Sequence, residues 1–502
     1  MSWAVEADHG PLLLAGWLVA VKDRRMNSIM HAGLIATLAH ASIGVAEDER
    51  AESRTPRLAD VDRTRYAADG NPDGGSEPFF PFQGQASPLD VTATRSEPLD
   101  PLFPDPLGPL VRPLRNIGDW TRDELGLEWN VFYTLLFQHA SRSLDEQPRD
   151  AGTGRLDLGF NWVLFDDPTV GRGGVGFLLR SGVELGQPDS YTIGTAVGAA
   201  PVNLNALQWT YPTSPDLLYW HQSWCDERVT ASVGKIHPNQ FIQLSRIAND
   251  ESRQFLACPF DGLNTLGSSL GTYTGGAALQ VVPTDGLYVN TVWADPNGGP
   301  DRGLGTIGDG GWWAAMQLGL VPVLEGLDGS EVEGNWNIVF AGTNQSLSTA
   351  LLGATNSGTS NGSGFGNTLL DGLEVPSSSE STEEWGWGAM IEQGIASDLD
   401  VLLQYGSSTN GMSAIDRQFN AVLQWSRPLG RRDEAIGIGY SWSRPTDLYA
   451  EPRREVQLVE AYYRIQLTDS MQISPDLQVL LRPATGPDRP VYVFGIRLKT
   501  TF

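Results

Sequence analysis

Charged side chains recur at even spacing inside segments of alternating hydrophobicity: Arg180 with Glu184, Glu460 with Arg464, Arg497 with Lys499. In an extended strand successive side chains point to opposite faces, so residues two or four apart share a face. Leu179, Val183 and Leu185 then fall on the other side of the first segment. A guanidinium beside a carboxylate can hydrogen-bond several hydroxyls of a neutral polyhydroxyl solute, and it can equally be satisfied by its ionic neighbour alone. Arg228 opens another such segment. The long connection near 237–269 carries Arg246, Asp250, Glu251 and Arg253, which would narrow an enclosed space if that connection turned inward. The candidate binding set is therefore Arg180, Glu184, Arg228, Arg246, Glu460, Arg464, Arg497 and Lys499.

Covalent and metal chemistry find less support. A nucleophile needs a positioned base. Of the 6 histidines, His9 and His31 lie at or before the N-terminal apolar region, and His221 and His237 alone do not make a triad. The 2 cysteines, Cys225 and Cys258, form no metal-ligand cluster with histidine and no disulfide framework, so neither a cofactor nor a metal is expected. Their segments place Cys225 near a short turn and Cys258 in a long connection at the opposite end, too far apart to bridge. A net charge of -26 argues against nucleic acid, whose phosphates require concentrated Lys and Arg.

The elements that must hold the charged set are strands. At the end of the chain Tyr492, Phe494, Ile496, Leu498, Thr500 and Phe502 share one face, and Val493, Gly495, Arg497, Lys499 and Thr501 the other. Met471, Ile473, Leu477 and Val479 alternate with Gln472, Ser474, Asp476 and Gln478 in the preceding segment, and only Thr468-Asp469-Ser470 separates it from the one before, as in a tight hairpin. Counted backward, the pattern predicts strands near 490–502, 469–482, 455–468, 434–443, 417–427, 397–406, 385–396, 332–343, 312–321, 286–294, 270–282, 228–236, 217–226, 173–186, 154–165 and 127–140. The connections alternate in length: those near 141–153, 187–216, 237–269, 295–311, 344–384, 407–416, 444–454 and 483–489 would lie outside the cell, and most of the others are shorter.

An apolar face alternating with a polar one, strand after strand, suits an all-β, transmembrane antiparallel β-barrel of about 16 strands, because in hydrocarbon a sheet must close to pair every backbone group. With 40% hydrophobic residues and a mean hydropathy of -0.21, the chain resembles a barrel with a polar lumen rather than a bundle of membrane helices. Trp312, Trp313, Trp385, Trp387, Trp425 and Trp442 read as an interfacial girdle, and the terminal Phe502 as the aromatic end presented to barrel-assembly machinery. A soluble carbohydrate-binding β protein would instead carry polar outward faces.

Ahead of the barrel, Lys22, Arg24 and Arg25 precede an apolar stretch from Ile29 to Val45 that ends in Gly44-Val45-Ala46, the pattern of a secretory signal peptide with translation starting at Met26 or Met30. Residues 1–46 are thus the signal region. Residues 47–115, rich in Pro, Asp, Arg and Ser, read as a disordered leader containing Phe79-Phe80-Pro81-Phe82. A short helix at Ile117–Leu125 then leads into the barrel domain, 116–502.

Two stretches carry a family resemblance. Val459-Glu460-Ala461-Tyr462-Tyr463-Arg464-Ile465-Gln466-Leu467-Thr468, Ser474-Pro475-Asp476-Leu477-Gln478 and Gly495-Ile496-Arg497-Leu498 with Phe502 resemble the C-terminal signature of carbohydrate-selective porins of the OprB type. Gly118-Asp119-Trp120 running into Leu125-Gly126-Leu127-Glu128 resembles that family's helix-then-strand entry, and Ser232-Val233-Gly234-Lys235-Ile236 its central Gly-Lys strand. The resemblance implies an outer-membrane barrel that passes glucose and similar small sugars through a constriction of charged and aromatic residues, without cofactor or energy source. The partners it implies are small sugars, outer-membrane lipids and the assembly machinery. A general porin and, less favoured, an outer-membrane barrel enzyme are the alternatives, and the residues leave monomer and homotrimer open.

Overall fold

The computed structural model describes residues 101–144, 147–185, 193–207, 214–267, 273–299, 304–345, 383–409, 411–431, 433–449 and 453–502. The signal region, the leader up to residue 100 and most of the Ser/Gly/Asn-rich segment near 344–384 lie outside them. The alternating segments form strands β1 Leu127–Ala140, β2 Asp150–Asp167, β3 Gly171–Glu184, β4 Ser214–Trp224, β5 Val229–Ile236, β6 Thr274–Thr284, β7 Leu287–Ala294 and β8 Trp313–Leu320. After the short β9 Val323–Glu325 come β10 Glu331–Thr343, β11 Glu384–Ala396, β12 Leu399–Ser408, β13 Ile415–Ser426, β14 Ala435–Pro445, β15 Val456–Gln466, β16 Met471–Arg482 and β17 Val491–Thr501. Apart from β9, a short strand that follows β8 and pairs with the first residues of β10, the described strands are sixteen, at the positions the alternation predicts.

Every neighbouring pair is antiparallel, and β17 returns to β1 in a register running from Phe132↔Thr501 to Ala140↔Val493, which closes the barrel. Phe502 extends this seam, its amide donating to the Val131 carbonyl at 2.9 Å. Closure leaves no sheet edge, the condition for crossing hydrocarbon with strands. Among the described residues no helix is long and apolar enough to cross a membrane.

The faces are sorted in the reverse of a water-soluble protein. On β17 the apolar Phe494 and Ile496 are 54% and 47% exposed on the outer wall, while Arg497 and Lys499 are 1% and 4% exposed inside. The same inversion on β13 buries Gln418, Asn420, Gln424 and leaves Leu423 and Trp425 outside. Such sorting is stable only if lipid covers the outside.

Helix α1, Gly108–Leu125, begins well before the predicted Ile117, so the leader's last residues are ordered. Asp105 starts it by accepting the Leu107 amide at 3.0 Å and ties it to the β15–β16 turn through Ser470 at 2.9 Å. Gly126 ends it in the left-handed region at φ 63, where an added Cβ would meet the Val163 carbonyl oxygen at 2.7 Å. That requirement for glycine fixes the corner where helix becomes strand.

Candidate functional site: an inward loop across the lumen

Two of the predicted external connections turn into the barrel. The larger is residues 237–267 between β5 and β6, whose Phe241, Ile242, Ile247, Phe255, Phe260 and Leu263 are all buried. An apolar run of this kind would be costly in water, and the lumen gives it partners: Phe255 and Phe260 pack with Val422, Leu458, Tyr462 and Leu480, and Phe241 and Leu263 with Val292, Trp313 and Val339. Backbone room comes from Gly439 on β14, where a Cβ would sit 2.6 Å from the Phe260 ring. The second segment, 193–207 with its one-turn helix α2 Ile193–Ala196, lies beside it; the Ala206 amide donates to Leu256 and the Cys258 amide to Asn203, at 2.6 and 3.0 Å.

Charged side chains from the wall hold the loop at several points. On β2, Arg155 pairs with Asp157 at 2.9 Å and reaches Glu251 of the loop at 2.7 Å. From β3, Arg180 pairs with the other Asp157 oxygen at 2.8 Å and with Glu251 at 3.5 Å, and it donates to the Tyr273 hydroxyl. Two guanidiniums and two carboxylates thus interlock between wall and loop. Across the lumen Glu392 of β11 accepts from Arg246 Nε at 2.7 Å, the Arg246 amide at 3.0 Å and the Ser245 hydroxyl at 2.6 Å.

Glu460 of β15 receives two consecutive loop amides, Leu256 at 2.5 Å and Ala257 at 3.0 Å. Arg497 donates to the carbonyls of Glu251 and Gln254 at 2.7 and 2.8 Å, and Lys499 to the Ser252 hydroxyl at 2.8 Å. Beside them, burial would raise the pKa of Asp250 in the loop; Lys499, Arg253 and the Ser252 donors outweigh it and bring it down to about 2. The loop carboxylate therefore stays ionised at any physiological pH.

The structure gathers Arg180, Arg246, Glu460, Arg497 and Lys499 around one loop. The remaining candidates lie elsewhere. Arg464 donates to the Asp433 carbonyl at 3.0 Å, beside the β13–β14 turn. Glu184 ends β3 at the opposite rim, opposite Thr153. Arg228 sits in the β4–β5 turn, paired with Asp285 of the β6–β7 turn at 2.8 Å, both side chains largely exposed. Arg155, Asp157, Glu392 and Tyr273 complete the cluster without having been singled out; the signal for the first two was Arg155-Leu156-Asp157, two charges on one face of a predicted strand.

One aromatic departs from its predicted girdle place. Trp313 is 1% exposed on the lumen parity of β8 and donates its indole N–H to Leu266 of the loop at 2.8 Å, whereas Trp387 and Trp425 face outward. The two cysteines are free, Cys225 exposed and Cys258 buried. Among the described residues no group of His, Cys, Asp and Glu is arranged to hold a metal.

Compared with known proteins, the chain matches the model of the carbohydrate-selective porin, OprB family over residues 216–502. No curated protein sequence matches significantly. Among solved structures, the high-pH form of Pseudomonas putida OprB aligns at 13% identity and a TM-score of 0.61, covering 78% of this chain and 97% of that one. The low-pH form of the same protein aligns at 11% identity and a TM-score of 0.44, covering 78% and 96%. A mutant porin of Rh. blastica aligns at 11% identity and a TM-score of 0.39, covering 75% and 100%.

Proposed function

The chain belongs to the carbohydrate-selective porin, OprB family, and from that membership we propose that small neutral sugars, glucose among them, pass its lumen beside the inward loop 237–267, where Arg180 and Glu251 offer hydroxyl-binding groups held in place by the buried Arg155 and Asp157. As an outer-membrane porin it is a channel rather than an enzyme, and conduction asks only for binding weak enough to release. The observation that carries the reading is the interlocked pair of guanidiniums and carboxylates spanning wall and loop. Planar donors beside carboxylate acceptors match vicinal hydroxyls.

The remaining partners follow the same reading. Phe502, held in the β1 seam, is the residue that the assembly machinery would grasp, and residues 1–46 and 47–115 serve as export signal and leader. Reconstituted in planar bilayers, the protein should conduct ions, and added glucose should lower that current. Arg180→Ala should weaken the block several-fold with the channel still open. Current without any sugar effect would mark a general porin, and an unchanged block in Arg180→Ala would move the binding groups elsewhere.

A further inference from the structure

The described part of the chain ahead of the barrel is placed outside the wall rather than in its mouth. On β1 the even-numbered Phe132, Thr134 and Leu136 face the lumen, so Trp129 is on the outer face. Helix α1 covers that face: the Trp129 indole N–H donates to Thr121 at 3.0 Å, and Gly118 lies against the same ring. At the helix's other end Asp105 binds Thr468 and Ser470, and Arg115 donates to the Asp469 carbonyl at 2.8 Å, all at the β15–β16 turn. The outward-facing Trp162 of β2 donates to the Leu125 carbonyl at 3.0 Å. At 1.5 Å per residue the helix runs about 27 Å, so it lies along the rim at the ends of β15 to β2 instead of standing across it.

Among the described residues, its apolar side is left half-exposed. Leu110, Ile117 and Trp120 are 58%, 50% and 56% exposed. Leu110, Leu114 and Ile117 follow helical spacing on one side, with Arg112, Asp119 and Asp123 on the other. This apolar strip continues the lipid-facing wall, joined to it through Trp129 and Trp162, whose amphipathic rings suit the headgroup level.

We propose that α1 is an interfacial anchor, lying in the periplasmic leaflet of the outer membrane with Leu110, Ile117 and Trp120 among the acyl chains and its charged side toward the periplasm. The occupant of the strip is thus lipid, not a second copy or a soluble partner, because the strip is level with a rim whose neighbouring surface lipid already covers. The inference rests on the outer-membrane reading above.

The test uses the full protein in phospholipid vesicles with Cys225→Ser and one added cysteine at a time, since Cys258 is buried. Leu110→Cys, Ile117→Cys, Asp119→Cys and Phe494→Cys carry an NBD fluorophore, quenched either by doxyl lipid or by aqueous iodide. Positions 110 and 117 should quench several-fold more with doxyl lipid than with iodide, and position 119 the reverse. Iodide quenching all three helix sites alike, or neither quencher reaching 110 and 117, would overturn the anchor and indicate water or a protein cover. Position 494 separates the two readings: if lipid fails to quench it, the barrel assignment falls as well; if only the helix sites fail, the anchor alone is wrong.

Discussion

Glu460 places one carboxylate against two consecutive amides of the loop, so its contribution can be isolated by a near-isosteric change. Hydrogen bonds to a charged group are worth about 1.5–3 kcal/mol each. Glu460→Gln keeps one acceptor oxygen and loses the charge and the second bond, so the loop should loosen by about that amount. We expect larger and noisier single-channel currents with the barrel intact, measured as conductance together with unchanged heat-modifiable gel mobility. Arg180 differs in kind: its removal leaves Asp157 and Glu251 with Arg155 as their remaining ionic partner in the interlocked group, and breaking a buried pair of this sort costs about 3–5 kcal/mol. Arg180, Glu460, Arg497 and Lys499, evenly spaced in the sequence, lie buried on the lumen side of their strands. Which of those charges would meet the loop was not legible, because strand parity gives the face and not the height, and Glu184 and Arg228 sit at the two rims.

At the scale of elements, the inward loop is positioned as much by close packing as by charge. Gly439 gives the Phe260 ring its seat, and a methyl group there would overlap it at 2.6 Å. Gly439→Ala should lift the loop from the β14 wall, raising conductance and lowering sugar block while the folded fraction changes little. An unchanged current would show that the loop absorbs the methyl without moving. The alternating strands were readable because lipid on one side and a polar lumen on the other impose a period of two on every segment. That the connections 193–207 and 237–267 turn inward was not readable, because the lumen that covers their apolar residues exists only once the strands have closed. Trp313 illustrates the same gap: a tryptophan at a strand end fits a girdle until its parity and Leu266 put it inside.

For the whole molecule, stability depends on the single seam between β17 and β1. Deleting Val491–Phe502 leaves β1 and β16 with unpaired backbone groups toward lipid, each worth several kcal/mol. The truncated chain should therefore never reach the heat-modifiable folded form in detergent or vesicles, whereas loop variants such as Gly439→Ala should. A truncated protein that still showed folded mobility would mean that closure can be re-established through other strands.

The amino-acid sequence by itself determined the sixteen alternating strands, their outward apolar and inward polar faces, and hence a closed barrel in a membrane, since these depend only on local periodicity and the cost of unpaired backbone in hydrocarbon. The tertiary structure alone decided that two long connections fill the lumen, that Arg155, Arg180, Asp157 and Glu251 meet there, and that α1 lies along the outer rim. Those arrangements join residues distant in the chain, and no local pattern encodes which distant partner a buried charge or an apolar loop will find.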